Sequence, residues 1–264
     1  MQTRVHQSFR GGAAWIELRA DDPAKPATLD LRVLDELAEA IERASSSDVR
    51  AVIVSSPGSK YFVVGANIKA LQTLDRGTMD EWVSRGHEVF GRLERMPLLT
   101  IAAIDGVALG GGLELALACD VIVATATSRF GLPEATLGLI PGWGGTRRLT
   151  ARVGRGTATR MMLTGHALNA VDARSAGLID LLVPDAAALD AAVAEMVSGA
   201  ATTSTTAARL IKQIMTTPES SDSIESCCDC ERALSRDAIA DPETRKRLDA
   251  FFEQRARRAS AGKT

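Results

Sequence analysis

Aromatic side chains are scarce in this sequence: three Trp, one Tyr and six Phe, 4% of 264 residues. So few flat rings leave little for stacking the bases of a single-stranded nucleic acid. An excess of charge is missing too. Thirty-one Lys and Arg stand against 33 Asp and Glu, and the formal net charge of −2 gives no global pull toward nucleic acid or an anionic membrane. No apolar run approaches the roughly 18–20 residues of a membrane span. The opening MQTRVHQSFRGG has no signal-peptide apolar core. The expectation is a cytoplasmic protein with no nucleic-acid and no membrane partner.

Cysteine is also sparse, four in all, and three of them crowd together as Cys227, Cys228 and Cys230. Cys227 and Cys230 have the CxxC spacing of a redox pair or half a zinc site. No second Cys/His pair with ligand spacing completes a site, and Ser223–Ile239 reads as a helix in which thiols serve as small apolar residues. No metal is expected.

What is present suffices for a sizeable core, with 45% hydrophobic and 24% charged residues. Val5–Phe9 and Ala13–Leu18 read as strands joined by a Gly11-Gly12 hairpin turn. Leu34, Leu37 and Ile41 put an apolar face on a helix over Leu31–Arg43. Val49–Ser55, Leu98–Ile104 and Asp120–Ala124 are short, apolar and rich in β-branched residues, the pattern of buried strands. Thr78 and Glu81 fit a capping box that opens a helix ending near Pro97. The N-terminal half thus repeats a strand–loop–helix unit with glycine at the corners, an α/β arrangement that carries ligand groups on those corners. Beyond about Arg147 only Leu178–Val183 reads as a strand. Helices are expected over Ala186–Val197, Ala207–Met215, Ser223–Ile239 and Pro242–Arg258. A core over residues 1–200 and a helical C-terminal region over 201–264 follow.

Two stretches carry candidate chemistry. In Asp105–Asp120, DGVALGGGLELALACD, the triplet Gly110, Gly111 and Gly112 stands at the start of a helix, with Glu114 just inside it. Glycine lets a ligand approach the backbone, and a helix start offers unpaired N–H groups to developing negative charge. Gly65-Ala66, in the loop after the Val49–Ser55 strand, repeats that geometry. Two such donors on one oxygen would form an oxyanion hole. Glu134 lies twenty residues after Glu114, in RFGLPEATLGLIPGWGGTRRL, a segment too full of Gly and Pro to be one regular element. Read alone, each glutamate is a solvated surface charge; together near glycine corners they suit a paired acid/base site that holds a water.

These stretches together resemble the enoyl-CoA hydratase/isomerase family, the crotonase superfamily. The resemblance rests on FVVGANI (Phe62–Ile68), DGVALGGGLE (Asp105–Glu114) followed by Cys119-Asp120, and FGLPEATLGLIPGWGGTRRL (Phe130–Leu149), in the family's order and spacing. It implies a spiral of repeated ββα units with a helical C-terminal region that builds homotrimers, often paired into hexamers, and helps line the acyl pocket. It implies an acyl-CoA thioester substrate and no separate cofactor, coenzyme A being part of the substrate. By position the carbonyl oxygen would meet the backbone N–H groups of Ala66 and Gly111, which stabilise a thioester enolate. Gly65, Asn67, Ile68, Lys69, Lys25, Gly110 and Trp143 would surround the substrate.

Both carboxylate positions of the family are filled. Glu114 and Glu134 together favour hydration of a 2,3-double bond, Glu114 activating the water and Glu134 delivering a proton to Cα. Isomerase, decarboxylase and thioester-hydrolase activities are the alternatives within the fold. An RNA-binding member would need a basic surface, for which Arg147, Arg148, Arg152, Arg155 and Arg160 are the candidates. Departures from the family pattern fall around the substrate. Asn67 replaces the usual Asp, PATLD (Pro26–Asp30) replaces the usual first loop, and Trp143 stands where a small residue is frequent. The CCDC segment differs from the usual C-terminal pattern. Trp143 is expected either to wall the acyl pocket or to serve as a core or interface residue.

Overall fold

The computed structural model describes residues 2–58, 60–216 and 224–261. It divides into two compact units, residues 1–201 and 202–264.

The first unit is built from strands that alternate between two sheets. One sheet has six strands in the order β1 (Thr3–Arg10), β2 (Ala13–Ala20), β3 (Ala51–Ser55), β5 (Leu99–Ile104), β7 (Val121–Thr125) and β10 (Leu181–Val183). β1 and β2 form the antiparallel hairpin, and every later pair is parallel. The second sheet takes the intervening strands, β4 (Tyr61–Val63), β6 (Val107–Leu109), β8 (Arg129–Gly131) and β9 (Leu168–Asn169). A strand of the large sheet, a strand of the small sheet and a helical segment therefore recur along the chain.

Strand alternation assigns the two faces of the large sheet. Ile53, Ile101, Val123 and Val183 point to one face, where Leu189, Val193 and Val197 of helix α7 (Ala186–Ala201) cover them. Val52, Val54, Ala102, Ile104, Ile122 and Ala124 point to the other. There they join Leu34, Leu37 and Ile41 of α1 (Leu31–Ser45) and Val89, Phe90 and Leu93 of α3 (Arg76–Glu94). A parallel sheet must be covered on both faces, which explains why its strands are continuously apolar.

Several boundaries differ from the sequence reading. The capping box of α3 is not Thr78 with Glu81. Asp75 is the cap, its carboxylate accepting the Gly77 and Thr78 N–H groups, and the Thr78 hydroxyl accepts the Asp75 N–H in return. Aspartate serves as well as Ser or Thr at this position, so the helix gains one turn. The strand expected over Leu178–Val183 shortens to Leu181–Val183, because Leu178 and Ile179 fold back onto α6 (Ala170–Ser175) through hydrogen bonds to Ala173. A further helix, α5 (Gly145–Thr164), follows the glycine-rich segment and is broken at Gly154 (φ 74°).

The second unit consists of α8 (Thr205–Thr216), α9 (Ile224–Ala240) and α10 (Pro242–Ala261). α9 packs against both α8 and α10, and Asp241 caps the start of α10 by accepting the Glu243 N–H. Cys228 is exposed and Cys230 half-buried, both as free thiols. Ser223 and the Cys227 side chain lie outside the described residues. Among the described residues no His, Cys, Asp and Glu cluster has the makings of a metal site, and no helix is long and apolar enough to cross a membrane.

Candidate active site

Short elements bring the glycine corners together. β4 runs into Gly65-Ala66 and then α2 (Ile68–Leu71), whose start Asn67 caps by accepting the Lys69 N–H. β6 runs into Gly110 and then α4 (Gly111–Leu117). Because β4 and β6 are paired in the small sheet, the two corners lie side by side. Gly65 (φ 91°) leaves little room for a side chain: a Cβ there would lie 3.1 Å from the Leu109 carbonyl oxygen and 3.3 Å from the Gly111 nitrogen. Only glycine combines this left-handed backbone with so close an approach.

Main-chain bonds to Leu29 fix the Ala66 corner, with Leu29 N–H donating to Gly65 and Asn67 N–H to Leu29. The Ala66 N–H itself lies outside that pairing, and the Gly111 N–H opens α4, where no earlier turn supplies an acceptor. Neither donates to a protein acceptor among the described residues. Both residues line a cavity of about 590 Å³.

Two carboxylates meet in that cavity. Glu114 is only 2% exposed. One of its oxygens, Oε1, accepts the Trp143 N–H at 2.8 Å and the Gly145 N–H at 2.7 Å, which holds the carboxylate against the loop that precedes α5. Burial pushes its pKa up to about 7, opposed by those two hydrogen bonds and assisted by the neighbouring charge of Glu134. Glu134 opens a 3-10 turn (Glu134–Leu137), and its Oε1 reaches over Gly110, where an added Cβ would lie 3.0 Å away. Its Oε2 is buried with no hydrogen-bond partner, and burial raises this carboxyl group as well. An uncompensated buried acceptor is costly in a structural role, so a polar ligand is its natural complement.

The rest of the cavity is mainly apolar, with Leu71, Met79, Val83, Leu139 and Ile140 among its lining. Of the sequence-nominated residues, Gly65, Ala66, Ile68, Gly110, Gly111 and Trp143 line it with the two glutamates. Asn67 adjoins it as a helix cap. Lys69 is exposed on α2, and Lys25 pairs with Asp22 at 3.3 Å; neither lysine is among the lining residues.

Three participants escape a reading based on spacing. Arg148, 7% exposed, donates to the Trp143 carbonyl at 2.7 Å and to Glu94 at 2.8 Å, bracing the loop that holds Glu114. Glu94 also binds Arg147, and both arginines hold its pKa down against the effect of burial. His87 lines the cavity from α3, its pKa lowered by burial and by Arg148 and Arg147. All three are polar residues with ordinary surface spacing on helices. Only the pairing of Glu94 with Arg148 across α3 and α5, and the place of His87 in the cavity wall, marks them. Of the five arginines named as candidates for a basic surface, Arg147 and Arg148 are tied to Glu94 and Arg152 to Asp180.

A family model described as enoyl-CoA hydratase/isomerase matches residues 10–259 of this chain. The probable enoyl-CoA hydratase echA8 of Mycobacterium bovis is 35% identical over 235 residues, 86% of this chain and 87% of that protein. The fatty acid oxidation complex subunit alpha of Idiomarina loihiensis is 41% identical over 172 residues, which span 64% of this chain and 24% of that protein. Among solved structures, the enoyl-CoA hydratase from Bacillus anthracis matches with a TM-score of 0.87 at 29% identity, covering 95% of this chain and 96% of that one.

Proposed function

The chain belongs to the enoyl-CoA hydratase/isomerase family, and on that footing we propose that it adds water across the 2,3-double bond of a 2-enoyl-CoA thioester to give a 3-hydroxyacyl-CoA. One observation carries this reading: Glu114 and Glu134 face a single apolar cavity beside the free backbone donors Ala66 and Gly111.

In the proposed reaction the thioester carbonyl oxygen accepts the N–H groups of Ala66 and Gly111. Glu114, ionised and held through Oε1, takes a proton from a water whose oxygen bonds to Cβ. The electron pair of the double bond moves onto the thioester as an enolate, stabilised by the two N–H donors. Glu134, protonated, then delivers its proton to Cα. Both carboxyl groups have raised pKa values, so the pair can share one proton, as a base and an acid acting side by side require; which of the two holds it is set by the bound substrate. A proton then passes from Glu114 back to Glu134 by way of water, which restores both groups, and the reaction calls for no cofactor.

Gly65, Gly110, Ile68 and Trp143 are assigned to binding around the thioester and acyl group, and Asn67 and Lys69 to the coenzyme A side of the entrance. Lys25, already paired with Asp22, has the weakest support. For the second unit we propose assembly into homotrimers or pairs of trimers. Exposed apolar side chains on its helices, Ile211, Met215, Phe251 and Phe252, support that role. The test of function is turnover of a panel of straight, branched and aromatic 2-enoyl-CoA thioesters by the purified protein. Hydration of at least one is expected, and inertness toward all would refute the reading.

A further inference from the structure

Trp143 is the largest of the fully buried side chains, and its indole occupies a slot that two glycines leave open. A Cβ at Gly86 would lie 2.0 Å from indole Cδ1, and a Cβ at Gly111 would lie 2.5 Å from Cζ3. The ring therefore reaches from the α4 start to α3. Trp82 lies against it with ring centres 5.2 Å apart, and Phe90 meets it edge-on at 5.7 Å. Its Nε1–H donates to the Trp82 carbonyl at 3.0 Å, which fixes the rotamer.

Gly86 needs an explanation of its own. Glycine inside a helix is destabilising relative to alanine, and Gly86 sits in the middle of the 19-residue α3. Met79, Trp82, Val83 and His87 line the cavity, so at helical spacing Gly86 belongs to the same face of α3. At Gly86 the helix gives up its side chain, and the indole fills the space. Without the ring, the slot between Gly86, Phe90 and Gly111 would extend the apolar cavity.

We propose that Trp143 is the specificity-determining wall of the acyl pocket and Gly86 the residue that makes room for it, restricting this side of the site to short acyl chains. The inference rests on the reading of Gly111 as the donor to the thioester oxygen. The six-membered ring of Trp143 packs on Gly111, and the Trp143 backbone N–H holds Glu114, so the indole adjoins both groups that this reading sets around the thioester. A rigid, hydrogen-bonded ring is a sharper length gauge than an aliphatic side chain, which has rotamers to yield.

The test uses saturated thioesters, which bind but have no double bond to hydrate. The affinities of butanoyl-CoA and decanoyl-CoA are measured by calorimetry for the whole protein and for Trp143→Ala, Trp143→Phe and Gly86→Ala, with folding checked by thermal melting. Trp143→Ala should raise the decanoyl-to-butanoyl affinity ratio by about tenfold or more, and Trp143→Phe should raise it less. Gly86→Ala pushes the indole into the cavity and should lower the same ratio. Should Trp143→Ala fail to fold, the opposite shifts of the other two variants decide. An unchanged ratio in the folded variants overturns the wall assignment. Binding of both thioesters without turnover of any enoyl thioester would instead sink the hydratase reading and leave the length gauge to stand on the ratios. Failure to bind either thioester would overturn both.

Discussion

Glu114 and Gly145 are 31 residues apart in the chain, yet the Gly145 N–H donates to Glu114 Oε1 at 2.7 Å. The Trp143 N–H reaches the same oxygen. Two main-chain donors at the start of α5 thus hold one carboxylate oxygen and orient the other. Such bonds favour the ionised form, while burial opposes it. Burial wins, and the pKa is pushed up to about 7.

The first prediction concerns stability and pH. A glutamate whose folded pKa lies above its unfolded value binds a proton more tightly in the folded state. Its contribution is therefore most favourable below the unfolded value near 4.5 and is lost as pH rises toward 7. For Glu114 alone the full effect is on the order of 3 kcal/mol. Glu114→Gln keeps the oxygen that accepts the two N–H groups and removes the titration. Its stability, from urea unfolding at pH 5 and pH 8, should fall less across that interval than that of the parent protein. An equal fall in both would show that Glu114 does not carry the shift.

A second prediction separates binding from proton delivery. Glu134→Gln preserves shape over Gly110 but cannot supply a proton to Cα. Hydration should fall by roughly 10²–10⁴-fold, the usual worth of a general acid. The affinity for a saturated acyl-CoA should stay within about threefold, a difference of less than 1 kcal/mol. Retained hydratase activity would remove Glu134 from the mechanism.

The third prediction addresses the backbone donors. Gly65→Ala forces a side chain onto a φ of 91° and places its Cβ 3.3 Å from the Gly111 nitrogen, wedging the two corners apart. The expected result is a loss in kcat of roughly 10²–10³-fold, comparable with losing one oxyanion-hole donor. Steady-state kinetics that show only a raised KM would argue that these corners bind substrate without stabilising the enolate.

The fourth prediction is structural. Arg148 braces the Trp143 carbonyl and neutralises Glu94, so Arg148→Met leaves a half-buried carboxylate with only the exposed Arg147. The expected cost is roughly 3 kcal/mol in urea unfolding. Adding Glu94→Leu should recover much of it. No recovery in the double variant would show that Arg148 acts through the loop alone.

Much of this was legible in the residues because the informative segments are local. FVVGANI and DGVALGGGLE each contain their strand end, their glycine corner and their helix start within ten residues or so. The long strands of the large sheet were legible too, since burial on both faces makes them continuously apolar. The small sheet was not. β4, β6, β8 and β9 have two or three residues each, too few to show any period. α5 was hidden by Gly154 and Gly156, which break its apolar pattern. Gly86 with Trp143 and Arg148 with Glu94 depend on contacts between residues more than fifty positions apart. A single sequence contains both partners but no sign of their meeting.

The central claim is hydration, and the most direct measurement is the identity of the product. Incubating the purified protein with crotonyl-CoA in water enriched in heavy oxygen, followed by mass spectrometry of the thioester, distinguishes the possible outcomes. The expected result is the gain of one water with the heavy oxygen on Cβ, formed roughly 10²–10⁴-fold more slowly by Glu134→Gln. A thioester of unchanged mass with its double bond moved, or free coenzyme A with a labelled carboxylic acid, would contradict it.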